Sequence, residues 1–342
     1  MNDMTANTAT PGGTPKLSVR ELSKRFHVSG GGLMGGEARY VHAVSDVNFN
    51  LDKGTTIGIV GESGCGKSTT ARLIMHLINP DSGKISLDGD PVGADPASLK
   101  KFRRDVQMVF QDSSASLNPR LTIEQSIMFG ATIHGTPKAE ARKRSHYLLN
   151  RVGLDPARFA GRYPHELSGG QRQRVNIARA LAVQPKVVIF DEAVSALDKS
   201  VEAQVLNLLN ELREEFELSY IFISHDLHVV RYISDTVMVM YLGQVVEYGP
   251  VEDVYNTPQH PYTKALLSSM LSVDPDDRTD AAPIQGDPPS PLDLPSGCCF
   301  SPRCSHVADI CRSLSPRITG TRTRQVACHL VDPAAGHPEC AT

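Results

Sequence analysis

The chain has 342 residues, enough for one large domain with an appendage or for two domains. A formal net charge of −3 gives no reason to expect a nucleic-acid partner, and no apolar run approaches the roughly 20 residues that would span a bilayer. Residues 1–15 lack the apolar core of a signal peptide, so a cytoplasmic location is expected, and six of the seven cysteines lie at or beyond Cys298. In that setting the clustering points to a metal centre more than to disulfides.

Residues 1–15 are polar and Thr-rich and read as a disordered tail. Alternating apolar residues predict strands over 17–26 and 41–51, with a flexible Gly-rich loop over 29–36 between them. A short apolar run, 56–60, leads into Gly61-Glu62-Ser63-Gly64-Cys65-Gly66-Lys67-Ser68-Thr69, and helix-forming residues follow over 70–77. This is a Gly-x-x-x-x-Gly-Lys-Ser phosphate loop in a strand–loop–helix setting. Its backbone N–H groups wrap phosphates and the following helix N-terminus favours negative charge. Lys67 is placed to reach the β- and γ-phosphates, and the Ser68 hydroxyl to bind Mg²⁺. The loop alone establishes only that a nucleotide binds.

Further strands are expected over 84–87 and 106–110, the latter ending at Gln111. From about 112 to 182, Pro119, Thr122 and Pro137 punctuate helices, which predicts a mostly helical subdomain inserted into the nucleotide-binding core. Val175, Ala178 and Ala182 share one face of its last helix. Residues 186–190 form a continuous apolar run, as in a parallel strand covered on both faces. That run ends in Asp191 and Glu192. Two acids also suit a helix N-terminus, but beside a phosphate loop Asp191 fits an Mg²⁺ ligand and Glu192 a general base that polarises the attacking water. Val201, Val205, Leu208, Leu212 and Phe216 follow helical spacing, a buried strand over 220–223 leads to His225, and paired strands flank Gly243. This alternation argues an α/β core. Beyond Pro258 the proline content rises, residues 274–295 read as a linker, and 298–340 form a small Cys-rich tail.

Leu167-Ser168-Gly169-Gly170-Gln171 stands between the phosphate loop and the Asp191-Glu192 pair. Ser168 and the N–H groups of Gly169 and Gly170 form a second anion site at a helix N-terminus. A Ser-capped helix explains the local pattern but not the order of the motifs. That order, with this pentapeptide, resembles the ABC ATPases. The resemblance implies that Ser168 and its glycines bind the γ-phosphate held by an opposite subunit, so that catalysis needs two cassettes. It implies that Gln111 contacts Mg²⁺ and senses a membrane partner, that Asp198 in Ser195-Ala196-Leu197-Asp198 lies on a loop crossing the dimer interface, and that His225 is the switch histidine at the γ-phosphate. Phe26 aligns with the family's adenine-stacking aromatic, while the Gly-rich insertion brings Tyr40 into contention; either ring also suits plain core. Ala193-Val194 replaces the Pro-Thr or Pro-Val of many members, at positions without a catalytic group.

Val109 to Asp112, Ser116 to Arg120, Arg162 to Glu166 and His260 to Leu267 narrow the resemblance to dipeptide/oligopeptide importers, a group that also includes nickel and glutathione transporters. Cys298, Cys304, Cys311 and Cys328 are not spaced as paired Cys-x-x-Cys knuckles, so structural zinc is less natural than an iron–sulfur cluster. The resemblance implies a [4Fe–4S] cluster on these four, with zinc or unliganded thiols as alternatives and Cys299 and Cys340 spare. The resulting expectation is an α/β P-loop ABC ATPase with a mixed β-sheet core (16–257), an inserted helical subdomain and a small Cys-rich C-terminal extension (258–342). It would use ATP and Mg²⁺ and power import of di- or oligopeptides or a related small solute. Its partners would be a second ABC ATPase subunit, identical or homologous, two transmembrane permease subunits and, indirectly, an extracytoplasmic solute-binding protein. It would sit peripherally on the cytoplasmic face of the membrane.

Overall fold

Two kinds of strand burial build two sheets in the computed structural model, which describes residues 14–28, 39–270 and 286–340. The expected loop over 29–36, nearly all of the expected N-terminal tail and residues 274–285 of the expected linker lie outside the described residues. The first part of the chain runs β1 (Leu17–Val28), β2 (Arg39–Leu51), β3 (Thr56–Val60), α1 (Lys67–Ile74), β4 (Ser82–Leu87), β5 (Asp90–Pro91), α2 (Pro96–Asp105) and β6 (Val106–Val109). Four helices follow, α3 (Ile123–Ile133), α4 (Lys138–Arg151), α5 (Pro156–Phe159) and α6 (Gly169–Leu181). The core resumes with β7 (Val187–Asp191), α7 (Lys199–Glu215), β8 (Ser219–Ile223), α8 (Leu227–Ile233), β9 (Thr236–Tyr241) and β10 (Gln244–Pro250). The C-terminal part adds α9 (Val251–Asn256), α10 (Pro261–Ser268), α11 (Asp309–Ser313), β11 (Ile318–Gly320) and β12 (Gln325–Ala327).

The half-buried strands make a small antiparallel sheet in the order β2-β1-β4-β5. The larger sheet has the order β11-β12-β10-β9-β3-β8-β7-β6, and its stretch from β9 to β6 is parallel. Every residue of β3, β7 and β8 is buried, because both faces of this sheet are covered. Side-chain alternation divides each strand between two cores. Val188, Phe190, Tyr220 and Phe222 pack with α6, α7 and α8; Val187, Ile189, Ile221 and Ile223 pack with α1 and the small sheet. The turn between β9 and β10 puts Leu242 (φ 44°) and Gly243 (φ 81°) in the left-handed region, the requirement of a type I′ hairpin.

The inserted helices begin at a reciprocal cap in which Thr122 and Gln125 bond each other's backbone N–H groups. α6 ties this insert to the segment after β6: Asn176 donates to the Ser113 carbonyl at 3.1 Å, and Arg179 donates to that of Ser116. Val175, Ala178 and Ala182 are buried together, in keeping with their spacing. Ala193 and Val194 are also buried, so the positions where this chain departs from its resemblance are packing positions.

The C-terminal tail does not stand apart from the core. β12 pairs antiparallel with β10 and carries β11 with it, so this segment forms the edge of the main sheet. No strand was expected there, because three-residue strands are too short to show a period of two. Buried Glu247 secures the junction. It accepts bonds from Arg324 Nη2 at 2.6 Å, from Gln259 N–H at 2.9 Å and from His260 N–H at 3.0 Å. Residues 286–295, at the end of the expected linker, run beside β2: His42 N–H donates to Pro291 O at 3.3 Å, and Arg39 pairs with Asp293 at 2.7 Å.

Candidate active site

The carboxyl ends of β3, β6, β7 and β8 lie along one edge of the parallel sheet, where α/β sheets bind their ligands. The chain leaves β3 into Gly61 and reaches α1 through Gly66, whose φ of 105° suits glycine. A Cβ on Gly66 would also lie 2.3 Å from the Ala43 carbonyl, so β2 closes that side of the loop. The β9–β10 turn holds the loop from behind, with Gly243 N–H donating to Cys65 O at 2.9 Å. Ser63 and Gly64 form the exposed crest, Thr69 is half-buried, and Cys65 is buried, which raises its thiol pKa. Lys67 is also buried; its ammonium donates to Gly61 O at 2.7 Å and Glu62 O at 2.9 Å.

Ser68 Oγ donates to Asp191 Oδ1 at 2.7 Å, joining the phosphate loop to the end of β7. Burial raises the Asp191 pKa above the usual carboxylate range, although the Ser68 bond works against that shift. A cation between Asp191 and Ser68 would relieve this desolvation, so the pair fits an Mg²⁺ site. Glu192 follows with φ 51°, a left-handed conformation that is unusual for a residue with a Cβ, and its N–H donates to Ile223 O at 3.0 Å. Gln111, beyond β6, donates to Glu192 Oε2 at 3.0 Å. His225 Nδ1, beyond β8, lies 3.6 Å from the same oxygen. Three strand ends thus converge on one carboxylate.

The other expected residues fall elsewhere. Ser168 is exposed at the head of α6, where it and Gln171 form a reciprocal cap; Leu167 behind them is buried. A Cβ built on Gly169 would meet nothing within 4 Å, whereas one on Gly170 would lie 2.5 Å from Val201 Cγ1. The fold therefore explains Gly170 by packing and leaves Gly169 without an internal reason. Asp198 begins α7 but makes no side-chain cap bond. Phe26 pairs in register with Val41, and Tyr40 with His27, so the two aromatics occupy opposite faces of the β1–β2 ribbon. Both are partly exposed; Lys24 lies over the Phe26 ring and Arg25 over that of Tyr40.

Cys298, Cys304, Cys311 and Cys328 line one cavity of about 10 Å³, together with His260, His306, His329 and His337. This is close to the volume one water needs. Burial pushes the Cys298 thiol up to about 12 and Cys328 up to about 11, and it raises Cys304. Among the described residues, no group of three or more His, Cys, Asp or Glu side chains stands at metal-holding geometry. The four thiols supply a donor set suited to iron–sulfur or zinc chemistry, and as folded they share one small cavity.

The extension also supplies site contacts that local sequence reading missed. Tyr262 OH accepts from Glu62 N–H at 2.9 Å, and Arg303 forms a two-pronged ion pair with the Glu62 carboxylate. Tyr262 lies within the stretch from His260 to Leu267, but its partner is 200 residues away in sequence.

A phosphate loop, an acidic strand end and a glycine-led helix on an inserted subdomain define an ATP-binding cassette. An ABC transporter family model matches residues 44–195, and a model of the oligopeptide/dipeptide transporter C-terminal region matches residues 246–311. The Di/tripeptide transport ATP-binding protein DppF of Pseudomonas aeruginosa (strain UCBPP-PA14) is 46% identical over 315 residues, 92% of this chain and 97% of its own. The Oligopeptide transport ATP-binding protein AppF of Bacillus subtilis (strain 168) is 46% identical over 324 residues, 92% of this chain and 97% of its own. A dimeric structure of the ATP-binding cassette MJ0796, bound to ADP and Pi in a post-hydrolysis state, aligns with a TM-score of 0.59 at 31% identity, covering 69% of this chain and 98% of that one. The chain belongs to the ABC transporter family, as an ATP-hydrolysing cassette of the oligopeptide/dipeptide branch.

Proposed function

We propose that this cassette powers uptake of di- or oligopeptides, with Glu192 as the general base for ATP hydrolysis. The convergence of Gln111 and His225 on the Glu192 carboxylate carries the assignment. On this reading the loop over 61–69 holds the ATP phosphates by its N–H groups, and Lys67 exchanges its loop carbonyls for phosphate oxygens. Ser68, Gln111 and Asp191 would hold Mg²⁺, which would supply positive charge against the phosphates. Glu192 takes the proton of the attacking water, while Gln111 and His225 orient its carboxylate. The site is completed by Ser168, Gly169 and Gly170 of a second cassette. The open space beside Gly169 and the lack of a cap bond from Asp198 support this dimeric reading, as does the dimeric MJ0796 structure.

Among the described residues, no helix is long and apolar enough to cross a membrane. On this reading the cassette acts peripherally, driving two transmembrane permease subunits supplied by a solute-binding protein. The segment just after Gln111, bonded to α6 through Asn176 and Arg179, suits a relay between α6 and the permease. Glu192→Gln should retain ATP binding and lower hydrolysis by at least about 100-fold. Wild-type turnover in that variant would overturn the base assignment. Uptake of nickel or glutathione instead of peptides by the assembled transporter would overturn the substrate assignment.

The four cysteines that share one cavity are the candidate ligands of a [4Fe–4S] cluster. Loading would require deprotonated thiols and a wider pocket than the folded one. Anaerobically purified protein should contain iron and acid-labile sulfide in equal amounts, both lost in Cys304→Ser. Zinc without sulfide, or neither, would remove the cluster.

A further inference from the structure

The C-terminal extension holds Glu62 of the phosphate loop from two sides. Tyr262, in the first turn of α10, accepts from the Glu62 backbone N–H at 2.9 Å. Arg303, in the turn Ser301–Arg303, donates from Nη1 and Nη2 to the two carboxylate oxygens at 2.8 and 3.0 Å. The Arg303 side chain is 6% exposed and that of Glu62 26%, so the arginine end of the pair is buried while the carboxylate is partly solvated. Both contacts spring from one aromatic cluster. The Tyr241 ring lies 4.7 Å from that of Tyr262 and 5.3 Å from that of Phe300, and Arg303 Nη1 reaches Tyr241 OH at 3.3 Å.

Glu62 is an awkward residue for this loop. Its carboxylate adds negative charge beside a cradle for phosphates, and its carbonyl anchors the Lys67 ammonium at 2.9 Å. We infer that Arg303 is a positioning residue for ATP, which cancels the Glu62 charge beside the cradle and steadies the loop backbone that Lys67 leaves when it engages the phosphates. An arginine suits this role because its planar fork meets both carboxylate oxygens at once. The extension is then part of the nucleotide site of its own chain. This inference rests on the reading of residues 61–69 as the ATP cradle.

The test uses the full-length chain. ATP affinity is titrated on a Glu192→Gln background, and KM and kcat are measured in the assembled transporter with Glu192 intact. Arg303→Met keeps an apolar stem and removes the charge. It should weaken ATP binding and raise KM by about five- to tenfold, with kcat within about twofold. Arg303→Lys should lose less. Adding Glu62→Gln to Arg303→Met should recover most of the affinity, because the uncompensated charge is gone. Unchanged affinity in Arg303→Met, or a loss that Glu62→Gln does not relieve, would overturn the inference. If Arg303→Met does not fold, Glu62→Gln alone decides. The Glu62 charge beside the cradle is then gone while the Arg303 charge stays, so ATP should bind more tightly; equal or weaker binding would refute the role. Failure of the wild-type chain to bind ATP would instead sink the cradle reading.

Discussion

Glu192 leaves β7 with φ 51°, a backbone state that costs a non-glycine residue on the order of 1–3 kcal/mol. The bond from its N–H to Ile223 O holds that turn, and Gln111 and His225 hold the carboxylate. An acid at a strand end was legible as a candidate base, but its backbone geometry was not, since only the neighbouring strand enforces it. The adenine-stacking residue shows the same division. Sequence aligned Phe26 with the family's aromatic and left Tyr40 in contention, and register now separates them onto opposite faces of one ribbon. One adenine cannot stack on both. Phe26→Ala and Tyr40→Ala should therefore differ, with one weakening ATP binding by roughly 1–1.5 kcal/mol and the other near neutral. Equal losses in titrations of the two variants would contradict this geometry.

Among the elements, the all-buried strands β3, β7 and β8 were the easiest to foresee, because a strand covered on both faces reads as an unbroken apolar run. β11 and β12 escaped, since their place depends on pairing with β10 across about 80 residues of chain. Glu247 is the charged centre of that junction. Glu247→Ala would strand Arg324 in a largely buried position and leave the Gln259 and His260 N–H groups without their acceptor. Loss of one partner from such a pair costs about 3–5 kcal/mol. Denaturant unfolding should show a loss of about 3 kcal/mol, and proteolysis should cut the extension first. A loss below about 1 kcal/mol would mean that the Glu247 junction does little to hold the extension.

At the scale of the whole molecule, the exposed head of α6 is the feature that points outward. A methyl group on Gly169 would meet nothing within 4 Å, and the residue lacks a positive φ, so the isolated chain should accept alanine there. Gly169→Ala should leave stability unchanged or raise it by about 0.4–1 kcal/mol. In the two-cassette reading the same methyl would crowd phosphate oxygens of the partner's ATP, so hydrolysis in the assembled transporter should fall more than about tenfold. Thermal unfolding and ATPase assays on the one variant separate the two effects. Normal hydrolysis would argue against a close approach at Gly169.

The phosphate loop, the acidic strand end and the glycine-led start of α6 were written locally, because each is a short run whose chemistry depends on adjacent residues. From these an ATP-binding cassette with an inserted helical subdomain could be read off the chain. What surrounds Glu62 is set by the folded chain alone. Tyr262 and Arg303 reach it from far along the chain because the extension packs around Tyr241 and pairs with the edge of the main sheet. Such contacts have no period and no local spacing; they exist only once both cores have closed. The loop over 61–69 is thus held from within its own chain by a C-terminal segment whose sequence pointed first to its cysteines.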